Sequence, residues 1–267
     1  MKITFLLIDG LNLIRRVYAA QPREDGTERV QSALESCTQS LRRALRECSP
    51  THAACVFDSD EPGWRHALYP EYKAGREPMP DALHENLKLF ETEFLTMGIP
   101  SLMVPAAEAD DVIATLACKT AENDGRVIIL STDKAYCQLL YEHIILRDHF
   151  NKKSLDSVAV MEKFGVQPGQ FVDFLALTGN STNNIHGVPG VGPKTAARLL
   201  NDIGPLEDIL AVGHTVRGKV GEMLYTHADD ARLARKLVRL KTDLTLGVNL
   251  RDFRYIPPIA GGDGGKD

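Results

Sequence analysis

The sequence predicts an α/β fold in which a mainly parallel central sheet is flanked by helices. Nearly continuous apolar runs at residues 3–8, 53–57 and 126–130 are typical of strands buried on both faces. Helical patterns separate these runs, and this alternation favours right-handed crossovers between parallel strands. The chain has 267 residues, 43% hydrophobic and 25% charged, which is enough for one large or two smaller domains with a buried core.

Two helices and a short strand are predicted between the apolar runs. Residues 28–46 form a helical pattern whose apolar side carries Leu34, Cys37, Leu41, Ala44 and Leu45. A helix over residues 85–97 and a short strand over residues 99–104 precede the third run. These elements complete the alternation that the fold class requires.

An acid follows each of the three main strands: Asp9, Asp58 and Asp133. A single Asp in this position is commonly a turn residue or the N-cap of the next helix. In parallel sheets, however, ligands bind outside the carboxyl ends of the strands, so the three acids are expected at the ligand-binding edge.

Composition limits the classes of partner. The formal net charge of −5 gives no global attraction to nucleic acids or acidic membranes, so a polyanion would have to meet a local basic patch. We expect a cytoplasmic protein, because there is no run of 18 apolar residues and no signal-peptide pattern. The five cysteines show no C-x-x-C spacing and suit a reducing compartment. Nothing in the sequence suggests an assembly larger than a monomer.

Three carboxylates cluster at residues 108–111, at the head of an apolar helical pattern. Glu108, Asp110 and Asp111 would repel one another unless a cation lay among them, which indicates a site for a hard divalent ion such as Mg²⁺. The alternative is that acids in a first helical turn only complement the helix dipole. Together with the three strand-end acids, six carboxylates are expected to converge on one crevice, and this favours the metal site.

Residues 62–80 interleave cations with aromatic side chains between prolines. Such a segment suits an element that holds a phosphate backbone and stacks bases, although an ordinary solvated loop is the alternative. The cations and aromatics concerned are Trp64, Arg65, His66, Tyr69, Tyr72, Lys73 and Arg76.

A second unit is predicted from about residue 155. A helix through Leu177 is followed by a glycine-rich hairpin at residues 187–196, which enters another helix. Closely spaced glycines at a helix N-terminus let backbone N–H groups approach a phosphate, and Lys194 adds a positive charge. Further cations at residues 232–241 could extend a basic face, but solvated helix charges are the better explanation for them. Residues 257–267 are rich in Pro and Gly and are predicted to be a disordered tail.

These motifs, in this order, resemble the bacterial and phage 5′-nuclease (flap endonuclease) family, and most closely its short members without a polymerase domain. The motifs are I-D-G at 8–10, F-D at 57–58, Y-P-E-Y-K-A-G-R at 69–76, E-A-D-D at 108–111, S-T-D-K at 131–134 and G-V-P-G-V-G-P-K-T-A at 187–196. The resemblance implies a PIN-like α/β catalytic domain over residues 1–154 with a helical arch at about 62–84. It also implies a helical DNA-binding region with a helix-hairpin-helix (H3TH) motif over residues 155–250.

The resemblance also assigns roles to individual residues. It implies a first Mg²⁺ site formed by Asp9, Asp58, Glu108, Asp110, Asp111 and Asp133. Of these six acids, Asp110 is the one that we expect to be a direct ligand of the ion. It implies arch cations at Lys73 and Arg76 that contact the scissile phosphate, with Tyr72 beside them on the DNA. It implies a K⁺ ion held by backbone carbonyls of Leu177, Thr178, His186, Val188 and Val191. It implies duplex contacts from Gly190, Val191, Gly192, Pro193, Lys194 and Thr195.

The chain departs from the family pattern at the expected second metal site. Most members read G-D-K-D where this chain reads Thr132 to Ala135, and G-D-x-S-D-N where this chain reads Gly179 to Asn184. Three carboxylates are therefore missing, at Ala135, Asn180 and Asn183. An Asn offers a carbonyl oxygen but no charge, so a two-metal arrangement is in doubt.

Three functions remain open from the sequence. The first is a Mg²⁺-dependent, structure-selective 5′-flap endonuclease that hydrolyses DNA phosphodiesters near single-strand/duplex junctions. The second is a branched-DNA-binding protein with weak or vestigial nuclease activity, which the missing acids would explain. The third is a PIN-like ribonuclease, which shares the carboxylate edge but does not account for the H3TH string.

Overall fold

The computed structural model describes residues 2–22, 26–151, 153–216 and 218–258. A six-stranded sheet in the order β3-β2-β1-β4-β5-β6 forms its centre. All neighbouring strands are parallel except β5 and β6, which are antiparallel. The strands are β1 (Thr4–Asp9), β2 (His52–Phe57), β3 (Ser101–Met103), β4 (Arg126–Leu130), β5 (Ile144–Asp148) and β6 (Lys153–Leu155).

Six helices lie in the described residues before β4. The 22-residue helix α2 buries one side chain in every three or four positions, including Val30, Cys37 and Leu41, which fixes the face that it turns to the sheet. The bounds are α1 (Gly10–Ala19), α2 (Thr27–Cys48), α3 (Trp64–Leu68), α4 (Asp81–His84), α5 (Leu87–Thr96) and α6 (Ala109–Ala121).

After β6, the regular structure of the described chain is helical. The helices α8 and α12 pack against each other, and α9 follows the glycine-rich hairpin. The bounds are α7 (Ser157–Phe164), α8 (Phe171–Thr178), α9 (Pro193–Asp202), α10 (Leu206–Ala211), α11 (Lys219–Thr226) and α12 (Ala228–Val238). Short 3-10 turns lie at Lys134–Leu139, Pro168–Gln170, Ser181–Asn183, Gly213–Thr215 and Leu250–Phe253.

A hydrophobic core covers each face of the sheet. One core joins alternate side chains of β1 and β2, such as Leu6 and Cys55, to α1, α2 and α5. The other joins the opposite side chains, such as Phe5 and Val56, to α6 and continues without interruption into the C-terminal helices. This second core therefore fixes the carboxyl edge of the sheet relative to the hairpin region.

The predicted fold class and its three main strands are confirmed, while several elements were not predicted. β5, β6 and α1 were missed, because their sequences mix charged and apolar residues over short lengths. Residues 62–84, for which an arch is expected, contain only the short helices α3 and α4 separated by turns, since four prolines interrupt this segment. The tail predicted at residues 257–267 lies, from residue 259 onward, outside the described residues.

Candidate active site

Three acids sit where the parallel strands end. Asp9 is the last residue of β1, Asp58 follows β2 directly, and Asp133 lies three residues after β4. Each also caps a following segment: Asp9 accepts a hydrogen bond from Asn12 N at 3.2 Å, and Asp133 accepts one from Ala135 N at 2.7 Å. The capping and ligand-site explanations of these residues are therefore compatible.

Four carboxylates line a crevice of about 310 Å³ at this edge of the sheet: Asp9, Asp58, Asp110 and Asp133. α6 begins at this edge because Asp58 Oδ1 accepts a hydrogen bond from Ala109 N at 2.7 Å, which caps the helix from a neighbouring strand. That contact places Asp110, in the first turn of α6, beside the three strand-end acids.

One oxygen of each of three acids is fixed by a hydrogen bond, while the other oxygen accepts none within the described chain, although Asp58 Oδ2 lies 3.9 Å from Lys73 Nζ. Asp58, Asp110 and Asp133 accept hydrogen bonds at Oδ1 from Ala109 N, the Tyr136 hydroxyl and Ala135 N, each at 2.7 Å. Their Oδ2 atoms accept no hydrogen bond from any residue that the structure describes. Asp9 is held at both oxygens, by Asn12 N and by the Ser131 hydroxyl at 2.9 Å.

The four acids repel one another strongly. Burial, together with the charges of Asp58 and Asp133, raises the pKa of Asp9 to about 7 despite the lowering effect of the Ser131 hydrogen bond. Burial and the neighbouring Asp133, Asp9 and Asp58 hold the pKa of Asp110 well above its usual range. A cation bound among these carboxylates would relieve their mutual repulsion.

Of the six carboxylates expected to converge, the other two, Glu108 and Asp111, do not line the crevice and instead form ion pairs with Arg65 and Lys73. Asp111 is 1% exposed and makes a bidentate ion pair with Arg65, with both contacts at 2.8 Å. Glu108 binds Arg65 and Lys73. Burial alone would raise the pKa of Glu108, but Lys73 and Arg65 outweigh it and lower the value.

The donor set suits a hard divalent ion, but the acids do not already form a closed cage. Within the described ranges, no group of three or more His, Cys, Asp or Glu side chains is arranged as a ready-made metal site. The free Oδ2 atoms of Asp58, Asp110 and Asp133 are nevertheless the anionic oxygen ligands that Mg²⁺ prefers. The crevice thus fits a divalent ion chemically, with a small number of direct ligands and the remaining positions left for water.

Residues 62–80, the basic segment, lie against this crevice, but Tyr72 is not at the surface where it was expected. Lys73 and Arg76 line the crevice, and Lys73 Nζ lies 3.9 Å from Asp58 Oδ2. Tyr72, which was expected to contact DNA, is only 4% exposed: its ring packs on His66, and its hydroxyl donates to Glu108 at 3.3 Å. The aromatic ring is therefore part of the core beneath the site and offers no surface to a base.

The base of the arch segment is tied to the loop that follows α8. Lys73 N donates to the Asn183 carbonyl at 2.9 Å, and Asn184 Nδ2 donates to the Glu71 carbonyl at 2.8 Å. Arg76 Nη2 donates to Asn183 Oδ1 at 2.9 Å. Asn183 therefore holds Arg76, a cation of the basic segment, through its side-chain oxygen.

The glycine-rich hairpin forms as the sequence predicts. Val188 N donates to the Leu177 carbonyl at 2.9 Å, which leaves the other lone pair of that oxygen open. A Cβ atom at Gly187 would lie 2.4 Å from Leu177 O, so only glycine permits this approach. α9 starts at Pro193, with Gly192 and Lys194 exposed beside its N-terminus, whereas the Val191 side chain is buried.

Several site residues escaped sequence reasoning. Arg15 and Arg16 line the crevice from α1. Because that helix was not predicted from the sequence, nothing indicated that these two arginines belong to the site. Tyr136 is fully buried and donates to Asp110, and a lone Tyr after an acid is not a motif. Arg65 was noted only as one cation of the basic segment, and its partner Asp111 is 46 residues away in the sequence.

A parallel sheet with acids along its carboxyl edge, joined to a helical unit with a glycine-rich hairpin, defines the 5′-nuclease class of proteins. Family models agree over nearly the whole chain. Residues 4–165 match the 5′-3′ exonuclease N-terminal resolvase-like domain, and residues 166–260 match the 5′-3′ exonuclease C-terminal SAM fold. The chain belongs to this 5′-3′ exonuclease family.

Curated relatives support the same family. Flap endonuclease Xni of Tolumonas auensis is 45% identical over 257 residues, which cover 95% of this chain and 98% of that protein. Flap endonuclease Xni of Shewanella baltica is 48% identical over 252 residues, which cover 94% of this chain and 95% of that protein.

Solved structures share the fold. T5 5′-exonuclease with bound divalent metal ions (zinc) aligns with a TM-score of 0.76 at 22% identity, covering 90% of both chains. The catalytic core of Rad2 in complex with a DNA substrate aligns with a TM-score of 0.60 at 15% identity, covering 97% of this chain and 84% of that one. At these identities the likeness establishes the fold only.

Proposed function

We propose that the chain is a Mg²⁺-dependent, structure-selective 5′-flap endonuclease that hydrolyses DNA phosphodiesters near single-strand/duplex junctions. The observation that carries the proposal is the crevice at the sheet edge, where four acids lie beside the cations Lys73 and Arg76. The two relatives named flap endonuclease support the substrate class, because they match more than nine-tenths of this chain.

Each side chain in the crevice has a distinct task. When bound, a divalent ion supplies the charge that polarises the phosphate and activates a water molecule for attack. Asp110, Asp58 and Asp133 offer their free Oδ2 atoms to it, and Tyr136 and the backbone amides keep those carboxylates oriented. Lys73 and Arg76 stabilise the charge that develops on the phosphate oxygens.

The hairpin is the proposed grip on duplex DNA. The N-terminus of α9, with Gly190, Gly192 and Lys194 exposed, presents backbone N–H groups and a cation to a phosphate. The carbonyls of Leu177, Thr178, His186, Val188 and Val191 are the proposed K⁺ ligands. The proposed domains are a catalytic domain over residues 1–154 and a DNA-binding region over residues 155–250.

Branched-DNA binding with weak nuclease activity is the second candidate. The observation that favours it is the hydrogen bond from Arg76 to Asn183, which occupies a position where an acid would otherwise recruit a second metal ion. Under this alternative, the protein binds flap DNA tightly but cleaves it little.

A cleavage assay on matched DNA substrates separates the two candidates. We expect the wild type with Mg²⁺ to cut a 5′-flap substrate near the junction, and to cut blunt duplex or single-stranded RNA much less. Asp110→Asn should abolish cleavage but retain binding. Asp124→Asn is the matched control, because its side chain is 96% exposed and it precedes β4, whereas the crevice acid Asp133 follows the other end of that strand. If the wild type and Asp110→Asn show the same background cleavage, the chain is a branched-DNA-binding protein and not a nuclease.

The cysteines bear on the proposed compartment. All five are free, and Cys37, Cys55 and Cys137 are buried. Unpaired, buried thiols suit the reducing cytoplasm, where we propose that the protein acts as a monomer. Among the described residues, no helix is both long and apolar enough to cross a membrane.

A further inference from the structure

Two arginines of the crevice are anchored by uncharged acceptors. Arg15 Nη2 donates to the Glu77 carbonyl at 3.0 Å. Arg76 donates to the side-chain oxygen of Asn183 at 2.9 Å and to the Thr182 carbonyl at 3.3 Å. Within the described part of the chain, neither guanidinium forms an ion pair with a carboxylate. Each guanidinium therefore keeps N–H donors that these contacts do not use, and these donors can bind an anion.

The two arginines line the same crevice. Burial, and next the neighbouring Arg76, lower the pKa of Arg15, while Asp58 and Glu77 act in the opposite direction. Holding two like charges together in a partly buried crevice costs free energy unless an anion lies between them. An anionic group with several acceptor oxygens, such as a phosphodiester, matches the fork geometry of two guanidinium groups.

The chemistry of Asn183 keeps Arg76 available. A carboxylate at this position would form an ion pair with Arg76 and cancel its charge. The amide oxygen accepts the same hydrogen bond but adds no negative charge, so Arg76 is oriented without being neutralised. The substitution that removes an acid from the loop after α8 therefore also supplies a free cation to the crevice.

We propose that Arg15 and Arg76 together bind the non-bridging oxygens of the scissile phosphodiester, with Asn183 as the residue that positions Arg76. In this chain the arginine pair then provides positive charge in the part of the crevice from which the second-site acids are missing. This inference rests on the proposed nuclease function and adds Arg15, from α1, to its phosphate-binding residues.

Single-turnover cleavage of 5′-flap DNA at saturating enzyme tests this role. We expect Arg15→Gln to slow cleavage about 100-fold, as for the loss of a charged donor to a reacting oxygen. Its Kd for the same DNA with Ca²⁺ should stay within about threefold of the wild-type value, since many other contacts hold the duplex. Arg15→Lys should recover part of the rate. Arg42→Gln is the control, because it removes an exposed arginine of α2 that lines a different groove.

Asn183→Asp provides a second test that does not depend on removing an arginine. If the arginine pair binds the phosphate, the new carboxylate neutralises Arg76 and cleavage becomes slower, about tenfold. If the crevice instead lacks only an acid for a second metal ion, the same substitution makes cleavage faster. Faster or unchanged cleavage would overturn the proposal.

The outcomes separate this inference from the proposed function. Wild-type cleavage that exceeds Asp110→Asn, together with unchanged rates for Arg15→Gln, leaves the nuclease function intact and removes Arg15 from it. Equal background cleavage by the wild type and Asp110→Asn would contradict both the nuclease function and the role of the arginine pair. Slow cleavage by Arg15→Gln and Asn183→Asp, with a normal rate for Arg42→Gln, supports the arginine pair.

Discussion

At the residue scale, Arg65 joins the catalytic edge to the C-terminal segment. Its guanidinium is 2% exposed, pairs with Asp111, and donates to the carbonyls of Leu237 at 2.8 Å and Arg239 at 3.0 Å. Asp111 in turn accepts a hydrogen bond from Lys241 N at 3.0 Å. These contacts hold the first turn of α6, and with it Asp110, in a fixed position.

Asp111→Asn is therefore expected to destabilise the fold. Removing one partner of a buried ion pair leaves Arg65 incompletely compensated, so the free energy of unfolding should fall by about 3 kcal/mol. Urea denaturation of the variant beside Asp124→Asn, whose acid is exposed, measures this loss. Equal unfolding midpoints for the two variants would show that the ion pair contributes little.

A second prediction at this scale concerns His149, which is 4% exposed and has no hydrogen-bond partner for either ring nitrogen in the described structure. Burial lowers the pKa of His149 to about 4, Asp148 opposes this, and Arg16 and Arg43 add to it. Because the unfolded chain has the ordinary value near 6.5, it binds more protons between pH 6.5 and 4. The contribution of a neutral His149 to stability is thus complete above pH 6.5 and is lost as the pH falls through this window.

His149→Phe should remove that loss. Relative to the variant, the wild type should lose about 2 kcal/mol of unfolding free energy between pH 7 and pH 4.5. Chemical denaturation of both proteins at several pH values measures the difference. Parallel pH profiles would mean that His149 is already protonated without cost in the native protein.

At the element scale, the hairpin before α9 depends on a close approach of two backbone segments. A Cβ atom at Gly187 would meet Gly179 N and Leu177 O, each at 2.4 Å, so Gly187→Ala must displace the hairpin. We expect a loss of about 1–3 kcal/mol in stability and weaker binding to flap DNA. Fluorescence anisotropy and thermal unfolding measure the two effects.

Gly192→Ala is the matched control for folding. A Cβ atom at Gly192 would meet no atom within 4 Å, and the residue is exposed, so this variant should keep the wild-type unfolding midpoint. If Gly187→Ala is as stable as Gly192→Ala and binds DNA normally, the close approach is not needed to form the hairpin.

The elements differ in how far the sequence could predict them. β1, β2 and β4 were predictable because strands buried on both faces leave continuous apolar runs, and their ends fixed Asp9, Asp58 and Asp133. β5, with Arg147 and Asp148 at its end, and β6, with three residues, carry no such signal. The interleaved cations and aromatics of residues 62–80 indicated a phosphate-binding segment, and the resemblance to a known family selected Lys73 and Arg76 within it.

The sequence could not predict which of the three clustered acids lines the crevice. Glu108, Asp110 and Asp111 are adjacent in sequence, yet only Asp110 lines the crevice. Asp111 and Glu108 instead form ion pairs with Arg65 and Lys73. Ion pairs between residues so far apart in the sequence form only in the folded chain. For the same reason, Arg15 could be placed beside Arg76 only once α1 and the arch segment were seen together.

At the scale of the whole molecule, the four crevice acids should link metal binding to stability. Mg²⁺ binds the folded crevice and relieves the repulsion among the acids, so it should raise the unfolding midpoint by about 5 °C at 100-fold excess over its Kd. Asp110→Asn should lose most of this increase. In the presence of a chelator, the same variant should be more stable than the wild type, because one repelling charge is gone. A metal-independent midpoint for the wild type would contradict the crevice as an ion site.

The most direct measurement is anomalous diffraction from crystals of the protein soaked in Mn²⁺. We predict an ion in the crevice that touches Asp110 and at least one of Asp9, Asp58 and Asp133, while Asp111 remains paired with Arg65. A crevice without an ion at saturating Mn²⁺, or an ion ligated by Asp111 after its release from Arg65, would contradict the proposed site.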